Sequence, residues 1–472
     1  MTTYNPQSRK AEEFIHHGEI LASIEAAKVE HAPQVYQALI EKAGACKGLS
    51  HREALVLLHA SQPWVREAVF QKAKEIKERF YGKRIVLFAP LYLSNYCING
   101  CVYCPYHAKN KVIERKKLTL DEVRAEAVAL MDLGHKRLAL EMGEDPVQNT
   151  MEYLLDCIQA IYDIRHKNGV IRRVNVNIAA TTVENYRKLH EAGIGTYILF
   201  QETYHKENYE ALHPTGPKSD YAYHTQAMDR AMAGGIDDVG CGVLFGLKDY
   251  DYELAGLLMH AEHLEAVYHV GPHTLSVPRI CPAQDVSVSD FANALSDDLF
   301  EYIVALLRIS VPYAGIIVST RESQESRERA LEVGVSQISG GSKTTVGGYA
   351  HPEAANESAQ FDISDQRSLD EIVHWLLARE HIPSFCTACY RQGRTGDRFM
   401  QLVKSGKIGN ICGSNALMTL KEYLEDYASQ PTRTLGMAVI DKELQAMNGS
   451  PLAQTLKKNL KEIEGGRRDL RF

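Results

Sequence analysis

No stretch of 18 apolar residues free of charge occurs in the chain, so no membrane span is expected. The first residues, MTTYNPQSRKAEEF, lack the apolar run of a signal peptide. Without an export signal the expected compartment is the reducing cytoplasm, where clustered cysteines serve as metal ligands or redox groups more often than as disulfides. Positive charge is not in excess either: the formal net charge is −7. That removes the basic field nucleic-acid binding needs, so no nucleic-acid partner is expected. The chain holds no low-complexity tract and no repeat beyond an alternation of strand and helix signals. It lacks a P-loop, because the Gly-rich SGGSKTTVGG (339–348) does not match G-x-x-x-x-G-K-[ST] and reads as a plain loop.

What is present is a chain of 472 residues, 45% apolar, with room for two or three domains or one large barrel with additions. Residues 1–80 show apolar positions at three- and four-residue spacing and read as an N-terminal helical layer. From 84 onward short β-rich runs alternate with amphipathic segments. They are RIVLFAPLYLSN, KRLALEMG, RRVNVNIA, TYILFQET, DDVGCGVLFGL, HTLSVPRI, AGIIVSTR and VSQISGGS. Eight such units predict an α/β fold, a (β/α)8 TIM-type barrel over 81–345. Polar residues at several strand ends (Asn95, Glu144, Glu202, Arg279, Arg321) fall where such barrels do chemistry. Residues 346–472 read as a mostly helical C-terminal unit. It opens on the loop GGYAHPEAANESAQFDISDQRS, then a helix with Ser368 as N-cap and Glu371 completing a capping box. The charged tail LKKNLKEIEGGRRDLRF is expected to fray.

Ten cysteines occur, and six form two groups that both stop at three: Cys97, Cys101, Cys104 and Cys386, Cys389, Cys412. Cys46, Cys157, Cys241 and Cys281 are scattered and read as small apolar filler. A structural zinc site and a simple electron-transfer [4Fe–4S] cluster each need four ligands. Three leave one iron open for a substrate or cofactor. Cys₃His zinc remains an alternative in each group, through His107 in the first and His381 in the second.

The spacing C-x₃-C-x-Φ-C, with Tyr103 before the last cysteine, resembles the signature of radical S-adenosylmethionine (SAM) enzymes. The resemblance implies a SAM-binding [4Fe–4S] cluster on Cys97, Cys101 and Cys104, with SAM on its open iron. Met142-Gly143-Glu144 resembles the family's Gly-Gly-Glu element, with Met142 departing from it, and implies Gly143 and Glu144 as SAM contacts. Glu202 at the fourth strand end and Arg230 in the helix before strand five are further SAM candidates. The second group, C-x₂-C-x₂₂-C, combined with a full barrel, is similar to the tyrosine lyases of [FeFe]-hydrogenase maturation. The related lyases of thiazole synthesis lack this second triad.

That resemblance implies cleavage of L-tyrosine to p-cresol and dehydroglycine. Dehydroglycine then becomes CO and cyanide at an auxiliary iron–sulfur cluster with a labile fifth iron. His273 is the implied ligand of that iron, and free cysteine joins it there. A low-potential donor of ferredoxin or flavodoxin type and the other hydrogenase maturases are the implied partners. Arg279 and Arg321 are the candidates for the tyrosine carboxylate, since a guanidinium fork suits it. Two rival readings are a lyase that stops at dehydroglycine and an iron–sulfur scaffold that only donates clusters.

Overall fold

The computed structural model describes residues 3–352, 358–404, 408–447 and 449–472. Its sheet contains β1 (Arg84–Ser94), β2 (Arg137–Met142), β3 (Arg173–Asn177), β4 (Tyr197–Phe200), β5 (Val239–Gly242), β6 (Thr274–Ser276), β7 (Gly315–Val318), β8 (Gln337–Ser339) and β9 (Ile382–Ser384). β1 to β8 pair in sequence order and in parallel, and β8 pairs back to β1, which closes the barrel the alternation predicts. Helices cross over between consecutive strands, as parallel pairing requires.

The ninth strand has no counterpart in the sequence reading. It pairs in parallel with the first residues of β1, Arg84 to Val86. A three-residue strand containing Pro383 carries almost no local signal, and proline is tolerated there because β9 lies at the edge of the sheet. Through β9 the C-terminal segment is hydrogen-bonded to the N-terminal end of the barrel.

Helices His17–Val29, Pro33–Gly44, His51–Leu58 and Pro63–Tyr81 form the expected N-terminal layer. They bear on the long buried helices Tyr250–Tyr268 and Asp297–Ser310. Three capping boxes start helices: Ser50 with Glu53, Thr119 with Glu122, and Ser368 with Glu371 as expected. Arg308 is wholly buried, yet the carbonyls of Gly334, Pro312 and Ala314 satisfy its guanidinium. Part of the loop expected after residue 346, residues 353–357, lies outside the described residues. The tail does not fray. Pro451–Glu464 is helical, Arg468 pairs with Asp426, Asp469 pairs with Arg391 and Arg172, and the Phe472 carbonyl accepts from Arg394. Its charges are spent on internal ion pairs, which composition alone does not reveal. Among the described residues no helix is long and apolar enough to cross a membrane.

Candidate active site

The first triad sits on the long connection that leaves β1 at the C-terminal mouth of the barrel. Arg115 holds that loop in shape by donating to the carbonyls of Asn95, Tyr106 and His107 at 2.6–2.8 Å. Asn95 and Asn110 close further turns within it. Asn99 reaches toward Cys97 Sγ, donates to Glu144 Oε2 at 2.6 Å and accepts from the Lys218 amide. Gly143 lies against this loop so closely that a Cβ there would stand 2.4 Å from the Tyr96 carbonyl oxygen. The Gly of the M-G-E element is thus required by the approach of two backbones.

Burial pushes the Cys101 thiol up to about 11 and Cys104 up as well, each raised further by the neighbouring cysteines. Unaided, those two thiols stay protonated. Bound cations would make them thiolates, which is the chemistry a metal–sulfur cluster supplies. Among the described residues, the only His, Cys, Asp or Glu group with donor atoms all within 4.8 Å of one another is His17, His205 and Glu207 on the outer surface. In neither cysteine triad do the three Sγ atoms all lie within 4.8 Å of one another. His107 faces Asp285 at 3.3 Å and does not line the cavity beneath the triad, which disfavours the zinc alternative.

That cavity, about 220 Å³, runs from the three cysteines down the barrel lumen. Tyr103, Gly143, Glu144 and Glu202 all line it, as the sequence predicts. Tyr103 is buried and its hydroxyl meets His213 Nε2 at 2.8 Å. Burial raises the Glu144 carboxyl against the hydrogen bond from Asn99. Glu202 adopts φ +68°, a left-handed backbone unusual for a side-chain-bearing residue, and pairs with Lys218 Nζ at 2.8 Å. Lys218 also lies 5.6 Å from the centre of the Tyr103 ring. Its place in a Gly-Pro turn gave no sequence signal, and neither did the role of Arg115.

The two arginine candidates separate. Arg321 lines the cavity, its guanidinium 3.6 Å from the centre of the Phe361 ring, and among the described residues no carboxylate pairs with it. Arg279 does not face the cavity. It is clamped by Glu322 and by Asp297 at 2.7 Å, and it donates to the Leu295 carbonyl. Arg230 is likewise engaged elsewhere, stacked on Tyr223 and donating to the carbonyls of Thr181 and Tyr223. Neither Arg279 nor Arg230 meets the expectation of a ligand-facing cation, because a nearby carboxylate or carbonyl already satisfies each.

The second triad lies at the opposite end of the barrel. Cys386 follows β9, Cys389 is in the short helix Ala388–Arg391, and Cys412 is on helix Ile408–Asp426. The eight residue steps from Val86 to Ser94 put roughly 26 Å between the two ends at about 3.3 Å per residue. A hydrogen bond from Cys389 lowers the Cys412 thiol, helped by Arg84 and Arg394. Arg137 donates to the Cys386 carbonyl at 2.9 Å. Tyr390 lies between Arg137 and Arg173, and its hydroxyl contacts Thr196 Oγ1 at 2.9 Å and His273 Nε2 at 3.4 Å. His273 precedes β6, so it belongs to this end. Burial lowers its imidazole below the usual histidine range, and Asp238 stands 3.6 Å from Nδ1. His381 lies at the other end of β9 from Cys386.

A closed (β/α)8 barrel with a C-x₃-C-x₂-C loop above its lumen defines the class: a radical SAM enzyme. The Radical SAM superfamily model matches residues 91–259, and the Biotin and Thiamin Synthesis associated domain matches residues 276–381. The 2-iminoacetate synthase of Salmonella typhimurium is 30% identical over 350 residues, 72% of this chain and 88% of that protein. A crystal structure of HydG, a maturase of the [FeFe]-hydrogenase, superposes with a TM-score of 0.95 at 51% identity, over 98% of this chain and 100% of that one. HydG from Carboxydothermus hydrogenoformans gives 0.81 at 40% identity, over 95% and 99%. The chain belongs to the HydG family of radical SAM lyases. Membership implies a [4Fe–4S] cluster and SAM.

Proposed function

We propose that this chain cleaves L-tyrosine at Cα–Cβ to p-cresol and dehydroglycine, and converts dehydroglycine to CO and cyanide. The product is an Fe(CO)(CN)-cysteine unit for [FeFe]-hydrogenase assembly. The carrying observation is the pairing of two cysteine triads at opposite ends of one barrel lumen. In this reading Cys97, Cys101 and Cys104 hold the SAM-binding cluster, which supplies the electron that generates a 5′-deoxyadenosyl radical. Cys386, Cys389 and Cys412 hold the auxiliary cluster, and His273 holds the labile iron. Residues 1–80 brace the barrel of 81–345, and 346–472 carry the second site.

The chain's own groups divide the work. Asn99 and Gly143 position Glu144 beside the cysteine loop, where a carboxyl receives the SAM amine. Glu202, held by Lys218, faces the same ligand. Arg321 binds the tyrosine carboxylate through its fork. Buried apolar walls, among them Leu199, Leu244 and Ile317, exclude water from a radical that would abstract hydrogen from any nearby donor. Below the cavity the lumen narrows to a polar layer. A Cβ at Gly240 would meet Thr274 Oγ1 at 2.4 Å, and one at Gly315 would meet Gln337 Nε2 at 2.2 Å. Glycine at both positions leaves room for those polar side chains, which suits passage of a small zwitterion to His273. Two partners belong to the same proposal: a low-potential ferredoxin- or flavodoxin-type donor, and free cysteine at the second site.

The test is anaerobic. Protein reconstituted with iron and sulfide receives SAM, tyrosine and a strong reductant, and CO is trapped with deoxyhaemoglobin. CO appearing in step with p-cresol supports the reading. SAM cleavage and p-cresol without CO, with both sites loaded, reduces it to a lyase that stops at dehydroglycine. No SAM cleavage leaves only a scaffold.

A further inference from the structure

Glu141 plays no part in the account above, yet it projects into the lumen. On β2 it lies in register between Tyr92 of β1 and Asn177 of β3, and all three line the cavity. Arg321 lines the same cavity from beyond β7, near enough for its charge to lower the Glu141 carboxyl. The two are not within ion-pair distance, so a gap separates an acid from a base across one chamber. Every other carboxylate in the cavity is committed: Glu202 to Lys218 and Glu144 to Asn99. A buried carboxyl without a close cation is costly to keep and does nothing for the barrel.

An α-amino acid carries its carboxylate and its ammonium on one carbon. A receptor for it needs a cation and an anion in one layer, facing each other with space for that carbon between them. We propose that Glu141 is the acidic half of such a clamp, its carboxyl accepting from the α-ammonium of the substrate and releasing its proton to solvent as that cation arrives, while Arg321 binds the substrate carboxylate. This rests on the reading of the cavity as an amino-acid site, and it assigns Glu141 as the residue that distinguishes an amino acid from a plain carboxylic acid. Asn177, hydrogen-bonded to Glu141, holds the carboxyl, and Tyr92, in register beside it, has its own hydroxyl committed to Gln360 at 2.8 Å.

The test uses the cluster-loaded enzyme with SAM and measures binding of three ligands by equilibrium dialysis. They are L-tyrosine, 3-(4-hydroxyphenyl)propionate, which lacks the amine, and tyrosine methyl ester, which lacks the free carboxylate. The wild type is expected to favour tyrosine over both analogues by at least about tenfold, the worth of one charged contact. In Glu141→Gln the preference over the amine-less analogue collapses toward one, while the preference over the ester persists. In Arg321→Met the pattern reverses. Glu141→Asp, which retains the charge, restores part of the amine preference and serves if the glutamine variant does not fold. An unchanged amine preference in Glu141→Gln, in a wild type that binds and cleaves tyrosine, overturns the clamp alone. A wild type that does not select tyrosine overturns the amino-acid reading and the clamp with it.

Discussion

The two ends of the barrel hold similar sets of cysteines in opposite surroundings. At the C-terminal mouth the triad comes from eight consecutive residues, is braced by its own loop, and has one nearby ammonium, Lys218, already neutralised by Glu202. At the other end the triad is gathered from a strand end, a short helix and a long helix. There Arg84, Arg137 and Arg394 all act on the thiols. The carboxyl groups of Glu144 and Glu202 at the mouth suit the cationic sulfonium of SAM, and the guanidinium groups around the second triad suit small anions such as carboxylate and cyanide. One barrel therefore carries two environments of different electrostatic character, a contrast that the proposed transfer of an anionic fragment from the first to the second would exploit.

Substitutions at the two ends test this contrast most strongly. Replacing Cys97, Cys101 or Cys104 by Ser is expected to abolish SAM cleavage, read as 5′-deoxyadenosine. Cys386→Ser or His273→Gln is expected to leave p-cresol within roughly threefold of wild type and eliminate CO. Loss of p-cresol in the latter pair would merge the two ends into one functional unit. Arg321 and Arg279 form the next contrast. Arg321→Met should raise KM for tyrosine about 10–100-fold, from loss of about 1.5–3 kcal/mol of charged hydrogen bonding. Arg279→Met should leave KM alone and cost about 3–5 kcal/mol of stability, because Glu322 is left buried without its partner. Denaturant melts and initial rates separate these.

How much of this was legible in sequence follows the same divide. Cys97 to Cys104 is a local motif, so spacing alone exposes it, and parallel strands buried on both faces show as apolar runs. Cys386, Cys389 and Cys412 are visible as a spacing, but their placement depends on β9, too short to carry a periodicity. The partners of Arg230 and Arg279 are not legible, because a guanidinium in sequence does not display its partner. Asp297 is 18 residues beyond Arg279 and becomes its neighbour only once the barrel closes. The burial of Lys218 and Glu141 in the cavity is hidden for the converse reason. Each is an ordinary charged residue in its local sequence, and only burial makes it unusual.

Smaller effects sharpen the contrast further. Deleting residues 467–472 removes the ion pairs of Asp469 and the Phe472 carbonyl contact to Arg394. It should cost about 1–3 kcal/mol of stability and lower iron retention at the second site without changing 5′-deoxyadenosine formation. A pH-dependent effect concerns Glu141, whose carboxyl burial raises to about 8 against 4.5 for the ordinary value. A raised carboxyl favours the folded state fully below about pH 4.5, and that contribution is lost as pH rises toward 8. Glu141→Gln should thus match wild type in Tm at pH 5 and exceed it at pH 8. Part of the wild-type slope will persist, since burial raises Glu253 to about 8 as well.

The ninth strand sets an order of events. Ser384 must find Val86, about 300 residues away, and such a distant pairing pays its loop-closure entropy late. During synthesis the loop bearing Cys97, Cys101 and Cys104 emerges long before β9 exists. The second centre has no complete cradle until the C-terminal segment has been made and has docked. The first triad is thereby complete in the growing chain before the second, which the direction of translation leaves to be assembled last.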